Sequence, residues 1–195
     1  MRNALLACAL AVAPVLSAPA EADQSVPTYH GALDRAGRYV VPGLTYERAR
    51  SLHLDASFHA AFHGEVYAQP LFWRRPGSGA GVLIVATEED EVYALDARSG
   101  AEIWKRTLGE PVPRSALPCG NISRLGVTGA PVLDEAGATL YLDAAVMRAN
   151  GPRHEIYALS LADGSIKPGW PWPAALRAGR PADGASSAHR VRRPT

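Results

Sequence analysis

The stretch Val92-Tyr93-Ala94-Leu95-Asp96-Ala97-Arg98-Ser99-Gly100-Ala101-Glu102-Ile103-Trp104 decides the fold. It contains one short β run, a tight turn at Arg98–Gly100, and a second β run that reaches a tryptophan. A glycine in such a turn permits the positive φ that brings the chain round. A tryptophan side chain buries about 150–250 Å². The stretch therefore predicts a β-hairpin whose last strand presents an indole for burial.

Two further β runs precede this hairpin and complete a four-stranded unit. They cover Val66–Trp73 and Gly81–Thr87, and the hairpin itself contributes Glu91–Asp96 and Glu102–Arg106. The loops between the runs are short enough for hairpins, so the four runs predict an antiparallel meander. The glycine-rich stretch Gly77–Gly81 precedes a strand and lacks the Lys-Ser/Thr of a phosphate loop, so we interpret it as a hairpin loop.

The same order of β runs then recurs further along the chain. Gly129–Leu133 repeats Ala68–Phe72, and Ile156–Leu159 repeats Val92–Leu95. An internal repeat of a four-stranded unit is typical of propeller blades. The predicted fold class is therefore all-β: a partial β-propeller of about two four-stranded antiparallel blades, with a short helical leader.

The hairpin matches the pattern A-x-D-x-x-[TS]-G-x-x-x-W and resembles the tryptophan-docking repeat of pyrroloquinoline quinone (PQQ)-type β-propellers. Further segments, Val66–Leu71, Leu117–Ile122 and Gly126–Pro131, resemble an exported bacterial branch of this family. In the family the tryptophan stacks between neighbouring blades. The resemblance implies a structural docking motif formed by Ala94, Asp96, Ser99, Gly100 and Trp104.

The second copy departs from the docking pattern. Ser160 stands where the first copy has Asp96, and Trp170 comes two residues late. The sequence leaves open whether this tryptophan docks. A closed propeller needs about four to eight blades, so two blades predict the N-terminal part of a longer, truncated propeller. Open blade faces are candidate sites for other proteins.

The chain divides into four predicted segments. Residues 1–22 resemble a signal peptide, because Arg2 precedes the apolar stretch Ala4–Ala18 and small residues follow it. That stretch is too short for a membrane span, so we expect an exported protein, periplasmic or extracellular. The segments that follow are a leader (23–64) with a helix over Tyr46–Leu54 capped by Thr45, the blades (65–173) and a disordered basic tail (174–195).

Composition excludes some function classes. Lys and Arg number 20 against 19 Asp and Glu, which argues against a nucleic-acid-binding protein.

Without the signal peptide, Cys119 is the only cysteine and has no basic or histidine neighbour in sequence. We expect its thiol to be buried and inert. No catalytic residue is predicted.

The sequence gives little support for a metal or cofactor site. His59 and His63 could share a helix face but lack a third ligand, so no metal site is predicted. Glu88–Glu91 is interpreted as a solvated turn, with weak surface Ca²⁺ binding as the alternative. Enzymes of the family hold PQQ and Ca²⁺ with residues from several blades. The resemblance therefore assigns no cofactor to this chain alone, and PQQ and Ca²⁺ only to a complete propeller.

The repeat and the family resemblance imply three alternative functions. The first is a non-catalytic scaffold or interaction module, in which Tyr93, Tyr157 and Trp104 serve packing. The second is the N-terminal fragment of a periplasmic PQQ-dependent alcohol or sugar dehydrogenase. The third is a propeller of the outer-membrane β-barrel assembly machinery, which would bind proteins.

Overall fold

Two antiparallel sheets form the body of the fold in the computed structural model, which describes residues 25–41, 43–77 and 81–174. This architecture confirms the predicted all-β class and is consistent with a partial propeller. The elements are α1 (Tyr46–Arg50), β1 (Leu71–Arg74), β2 (Gly81–Ala86), β3 (Glu91–Asp96), β4 (Glu102–Thr107), β5 (Glu110–Pro113), β6 (Arg124–Leu125), β7 (Val132–Asp134), β8 (Thr139–Arg148), β9 (Gly151–Ser160) and β10 (Trp172–Pro173).

The first sheet has the strand order β1-β2-β3-β4 that the meander predicts. Strand β1 is shorter than its sequence run, because Val66 to Pro70 lie outside the ladder and only Leu71–Arg74 pair with β2. Alternate residues point to opposite faces of a strand. Val82 and Ile84 therefore point to one face of β2, and Val85 points to the other.

The second sheet repeats this order as β7-β8-β9-β10 and adds two strands that the sequence did not predict. Strands β8 and β9 have ten residues each, so their hairpin extends beyond the repeat. The first part of β8 pairs with β7, and Val146 and Met147 near its end pair with β5. Two prolines, Pro111 and Pro113, hide β5 in the sequence, because proline is disfavoured within central strands.

The main hydrophobic core lies between the two sheets. Each sheet turns one aliphatic face towards the other, and the side chains that meet there are almost fully buried. Leu71, Ile84, Val92 and Ala94 from the first sheet belong to this core together with Leu140, Leu142, Tyr157 and Leu159 from the second.

The leader and the segment directly after it cover the opposite face of the first sheet. Ala60 and Val66 pack against a smaller cluster made by Val85, Tyr93 and Leu95. The backbone N–H of His59 donates to the carbonyl of Ser99 at 2.8 Å, and that of His63 donates to the Tyr93 hydroxyl at 3.1 Å. Both sheet faces at the first hairpin are therefore covered, one by the second sheet and one by the leader.

The leader helix is shorter than expected. Thr45 caps it as expected, since its Oγ1 accepts from the Arg48 N–H at 3.3 Å. The helix ends at Arg50, whereas the sequence favoured Leu54. Leu52 and Leu54 are 70% and 95% exposed. Because these side chains do not pack against the rest of the protein, tertiary packing does not stabilise a longer helix.

The predicted signal peptide lies outside the described residues, and so does the basic tail apart from Ala174. Within the described ranges, no helix has both the length and the apolar character that a membrane crossing requires.

A substitution at Gly100 tests how firmly the first sheet holds the leader. Its φ is +77°, and a Cβ there would lie 2.5 Å from the His59 carbonyl carbon. We expect Gly100→Ala to lower the free energy of unfolding by more than about 1 kcal/mol and to speed proteolysis near residues 57–64. The measurements are urea unfolding and limited proteolysis.

Gly151→Ala is the matched control. Gly151 also has a positive φ, +95°, but open space surrounds its Cβ position. This variant shares the backbone strain without the collision, so its leader should stay protected. Equal proteolysis of the two variants would contradict the assigned leader contact.

Candidate functional site

The turn of the first hairpin is organised by Asp96. Its Oδ1 accepts hydrogen bonds from the backbone N–H of Arg98 at 3.0 Å and from the N–H and hydroxyl of Ser99 at 2.8 and 2.9 Å. These bonds, with those from Ser99 the largest cause, lower the pKa of Asp96. The predicted motif residues Asp96, Ser99 and Gly100 thus form one turn, and Ala94 is fully buried beside it.

Trp104 lies against the second sheet and is only 7% exposed. Its indole Nε1 donates to the carbonyl of Leu161 at 3.1 Å. A Cβ at Gly164 would lie 2.5 Å from Cε3 of the indole, so the ring rests directly on that glycine. Arg106 adds a bond from its Nε to the Gly164 carbonyl at 2.7 Å. The first copy of the motif therefore contacts the matching turn of the second copy.

The second copy ends in a different arrangement of tryptophans. Trp170 stacks on Trp172 with ring centroids 4.2 Å apart and meets Tyr141 edge-on at 5.7 Å. These rings lie on the face of the second sheet that points away from the first. We call this surface the outer aromatic face, and its residues are Val132, Tyr141, Ile156, Trp170 and Trp172.

The two tyrosines of the repeated run are buried. Tyr93 is covered by the leader, as described above. The hydroxyl of Tyr157 donates to Glu155 Oε2 at 2.7 Å and lies 3.3 Å from the Leu108 carbonyl. Burial, followed by the bond to Glu155, raises the pKa of Tyr157. Both hydroxyls have partners, and these contacts suit a packing role.

The acidic turn between β2 and β3 is not solvated, contrary to the sequence interpretation. Glu88 and Asp90 are 2% and 0% exposed. Residues 126–128 cover the turn: the N–H of Gly126 donates to Glu88 Oε2 at 2.7 Å, and the hydroxyl of Thr128 lies 3.1 Å from the same oxygen. The burial comes from a segment about forty residues away in sequence, which local hydrophilicity cannot reveal.

Three oxygens of these two carboxyl groups have no hydrogen-bond partner. They are Glu88 Oε1 and both Oδ atoms of Asp90. Burial, followed by the charge of Glu88, raises the pKa of Asp90 to about 8. The neighbouring acids are paired, Glu89 with Arg124 at 3.0 Å and Glu91 with Lys105 at 2.6 Å.

The histidine pair does not form a cluster. His63 Nδ1 lies 3.9 Å from Glu91 Oε2, whereas His59 contacts the first sheet through its backbone. In the part of the chain that the structure describes, no three His, Cys, Asp or Glu side chains gather as metal ligands.

Cys119 is exposed, so the expectation of a buried thiol is wrong. It lies in the connection between β5 and β6, outside both sheets. Arg114 holds that loop through bonds to the carbonyls of Leu117 and Gly120 at 3.0 and 2.7 Å. The loop is fixed by polar backbone contacts rather than by a core, which leaves its side chains in solvent.

An open cleft of about 410 Å³ borders the outer aromatic face at Val132. Leader residues form one wall, and the segment before β7 forms another. Its lining residues are Thr28, Tyr29, Arg35, Tyr67, Gln69, Thr128, Gly129, Ala130 and Val132. Arg35 is the only charged residue among them.

Comparison with known proteins yields one family. The family of PQQ-type repeats described as outer membrane protein assembly factor BamB matches residues 57–188, more than half of the chain. The match begins within the leader, at the segment that covers the first sheet. No curated protein matches the chain.

The contacts of Trp104 predict the cost of removing its indole. Trp104→Ala should lower the free energy of unfolding by about 3–5 kcal/mol, because it deletes a large buried ring and leaves a cavity between the sheets. Urea unfolding measures the change. Trp170→Ala is the control, since its ring is only partly buried and should cost less; equal losses would contradict the assigned role of Trp104.

Asp90 predicts a pH dependence of stability. Its pKa is about 8 in the folded chain and near the ordinary value of about 3.9 after unfolding. Between these values the folded state keeps a proton that the unfolded state has lost. Stability from this group is therefore complete below about pH 4 and is lost as the pH rises to about 8, by at most about 1.4 kcal/mol per pH unit.

The measurement is urea unfolding across this pH range in buffer free of divalent metal ions. Asp90→Asn should flatten the profile, because the amide does not titrate. Glu102→Gln removes an exposed carboxyl instead and should keep the wild-type profile. An unchanged slope in Asp90→Asn would contradict the assignment.

Proposed function

The chain belongs to the family of PQQ-type repeats described as outer membrane protein assembly factor BamB, and from that membership we propose that it is an exported, non-catalytic scaffold that binds proteins. The outer aromatic face is the proposed docking surface. Export is supported by the apolar stretch Ala4–Ala18 and the small residues after it.

The observation that carries this proposal is a difference between matching positions of the two copies. Leu71 pairs with Ile84 in the first sheet, and Val132 pairs with Tyr141 at the matching place in the second. Leu71 and Ile84 are 0% and 1% exposed because the second sheet covers them. Val132 is 43% exposed.

The aromatic residues give this face the composition of a binding surface. Tyrosine and tryptophan are enriched where proteins contact one another, because they supply a large apolar area with few rotatable bonds. Tyr141, Trp170 and Trp172 already contact one another, so their side chains lose little freedom on binding. The occupant we propose is a protein that presents an aliphatic β-sheet face, as the second sheet does to the first.

The family description favours a specific class of partner. Members are described as an outer membrane protein assembly factor, so we propose that the occupant is a protein component of outer-membrane protein assembly. A dehydrogenase fragment is less well supported. PQQ carries three carboxylates, whereas the cleft beside Val132 offers Arg35 as its only charged residue. The cleft residues do not fit PQQ.

Introducing a charge into the apolar surface tests the proposal. Val132→Lys should weaken binding of the full chain to purified outer-membrane assembly components by tenfold or more, as expected for about 1.4 kcal/mol or more at an interface centre. Calorimetry or the fluorescence of Trp170 and Trp172 measures the binding. Ile103→Lys is the matched control, because Ile103 is similarly exposed, at 41%, on the first sheet.

Equal weakening by both substitutions would contradict the docking surface. Absence of binding by every assembly component would remove this partner class. Saturable PQQ binding with dye-linked dehydrogenase activity would overturn the non-catalytic role and favour the dehydrogenase fragment.

A further inference from the structure

The acidic turn of the first sheet holds two carboxyl groups in an unusual state. Glu88 and Asp90 are both more than nine-tenths buried. Glu88 Oε1 and both carboxyl oxygens of Asp90 lack hydrogen-bond partners. Burial of a charged carboxylate is costly unless the group is paired or coordinates a metal ion. A proton or a bound cation must therefore compensate these oxygens.

The basic side chains around the turn are bonded to other groups. Arg148 donates to Glu155 at 3.1 and 2.6 Å and to the Tyr157 hydroxyl at 3.1 Å. Arg124 pairs with Glu89 at 3.0 Å. Neither arginine supplies a hydrogen bond to Asp90.

Both carboxyl groups converge on Gly126. The N–H of this glycine donates to Glu88 Oε2 at 2.7 Å. A Cβ at position 126 would lie 2.8 Å from Asp90 Oδ1 and 2.5 Å from the backbone carbonyl oxygen of Glu88. The Thr128 hydroxyl is 3.1 Å from Glu88 Oε2. The backbone carbonyl of Glu88 and the carboxyl groups of Glu88 and Asp90 thus all approach the backbone of Gly126, which has no side chain to separate them.

We propose that Glu88 and Asp90 bind a divalent cation of the oxygen-preferring class, represented by Ca²⁺, beside Gly126. The donors are carboxylate, carbonyl and hydroxyl oxygens, with no nitrogen or sulfur atom among them. Ca²⁺ accepts about six to eight such ligands in flexible geometry, and the two carboxyl groups, the Glu88 carbonyl and the Thr128 hydroxyl would supply part of that set.

The position of the site gives the ion a structural role. Glu88 and Asp90 belong to the hairpin turn of the first sheet, whereas residues 126–128 lead into β7 of the second. The same segment is joined to the turn by a bond from the Val127 N–H to the Thr87 carbonyl at 3.2 Å. A bound ion therefore links the sheets at a place separate from the outer aromatic face, so its test is independent of protein binding.

The experiment titrates Ca²⁺ alone into the full chain after treatment with a chelator. We expect saturable heat in calorimetry and a rise of the unfolding temperature that saturates over the same concentrations, in the range of about 10⁻⁴–10⁻³ M seen for extracellular modules. Asp90→Asn and Glu88→Gln should each weaken Ca²⁺ binding by tenfold or more. Circular dichroism establishes that the variants are folded.

Glu102→Gln is the control, because it removes an exposed carboxyl far from Gly126 in the first sheet, and its Ca²⁺ affinity should equal that of the wild type. Wild-type chain that neither binds Ca²⁺ nor gains stability from it would overturn the proposal. Stabilisation by Asp90→Asn without any response of the wild type to Ca²⁺ would show that a proton, not a metal ion, compensates the pair. Equal Ca²⁺ affinity of wild type and Asp90→Asn would also overturn the proposal, since the ion would then lie elsewhere.

Discussion

The indole of Trp104 lying on Gly164 is the contact on which the pairing of the two sheets depends. The ring needs a position without a side chain, and its buried N–H needs an acceptor. Gly164 meets the first need and the carbonyl of Leu161 the second. At the opposite edge, Val26 bridges to Phe72 of β1, and the carbonyl of Pro27 accepts from Leu133 of β7. The sheets are thus joined at both edges, with the aliphatic core between them.

The glycines of the two matching turns contact different partners. Gly164 receives an indole, whereas Gly100 receives the backbone of His59. Either occupant excludes water from the glycine and the strand ends beside it. The leader therefore does for the first sheet what the first sheet does for the second, although its sequence shares nothing with β4. Backbone contacts of this kind leave no residue pattern in the chain.

The repeated β runs made most of the fold predictable, because strands β2, β3 and β4 coincide with predicted β runs bounded by turn residues. The burial of Glu88 and Asp90 was not predictable in this way. Their run is hydrophilic, and its cover comes from residues 126–128. Local sequence reports on neighbours in the chain, whereas burial depends on segments that meet only after folding. Gly126 lies nearly forty residues from the two acids in sequence, so its approach to them becomes visible only in the folded chain.

The leader over Gly100 has a consequence for how such sheets add to one another. Each sheet has a receiving side, where the glycine of its turn accepts a neighbouring segment. Its opposite side is an apolar face that can pack against the next sheet. In the first sheet the receiving side is already filled by the leader. While the leader stays in place, it occupies that face of the first sheet. A further sheet would then pack on the outer aromatic face of the second sheet, so sheets would be added at one end of the stack.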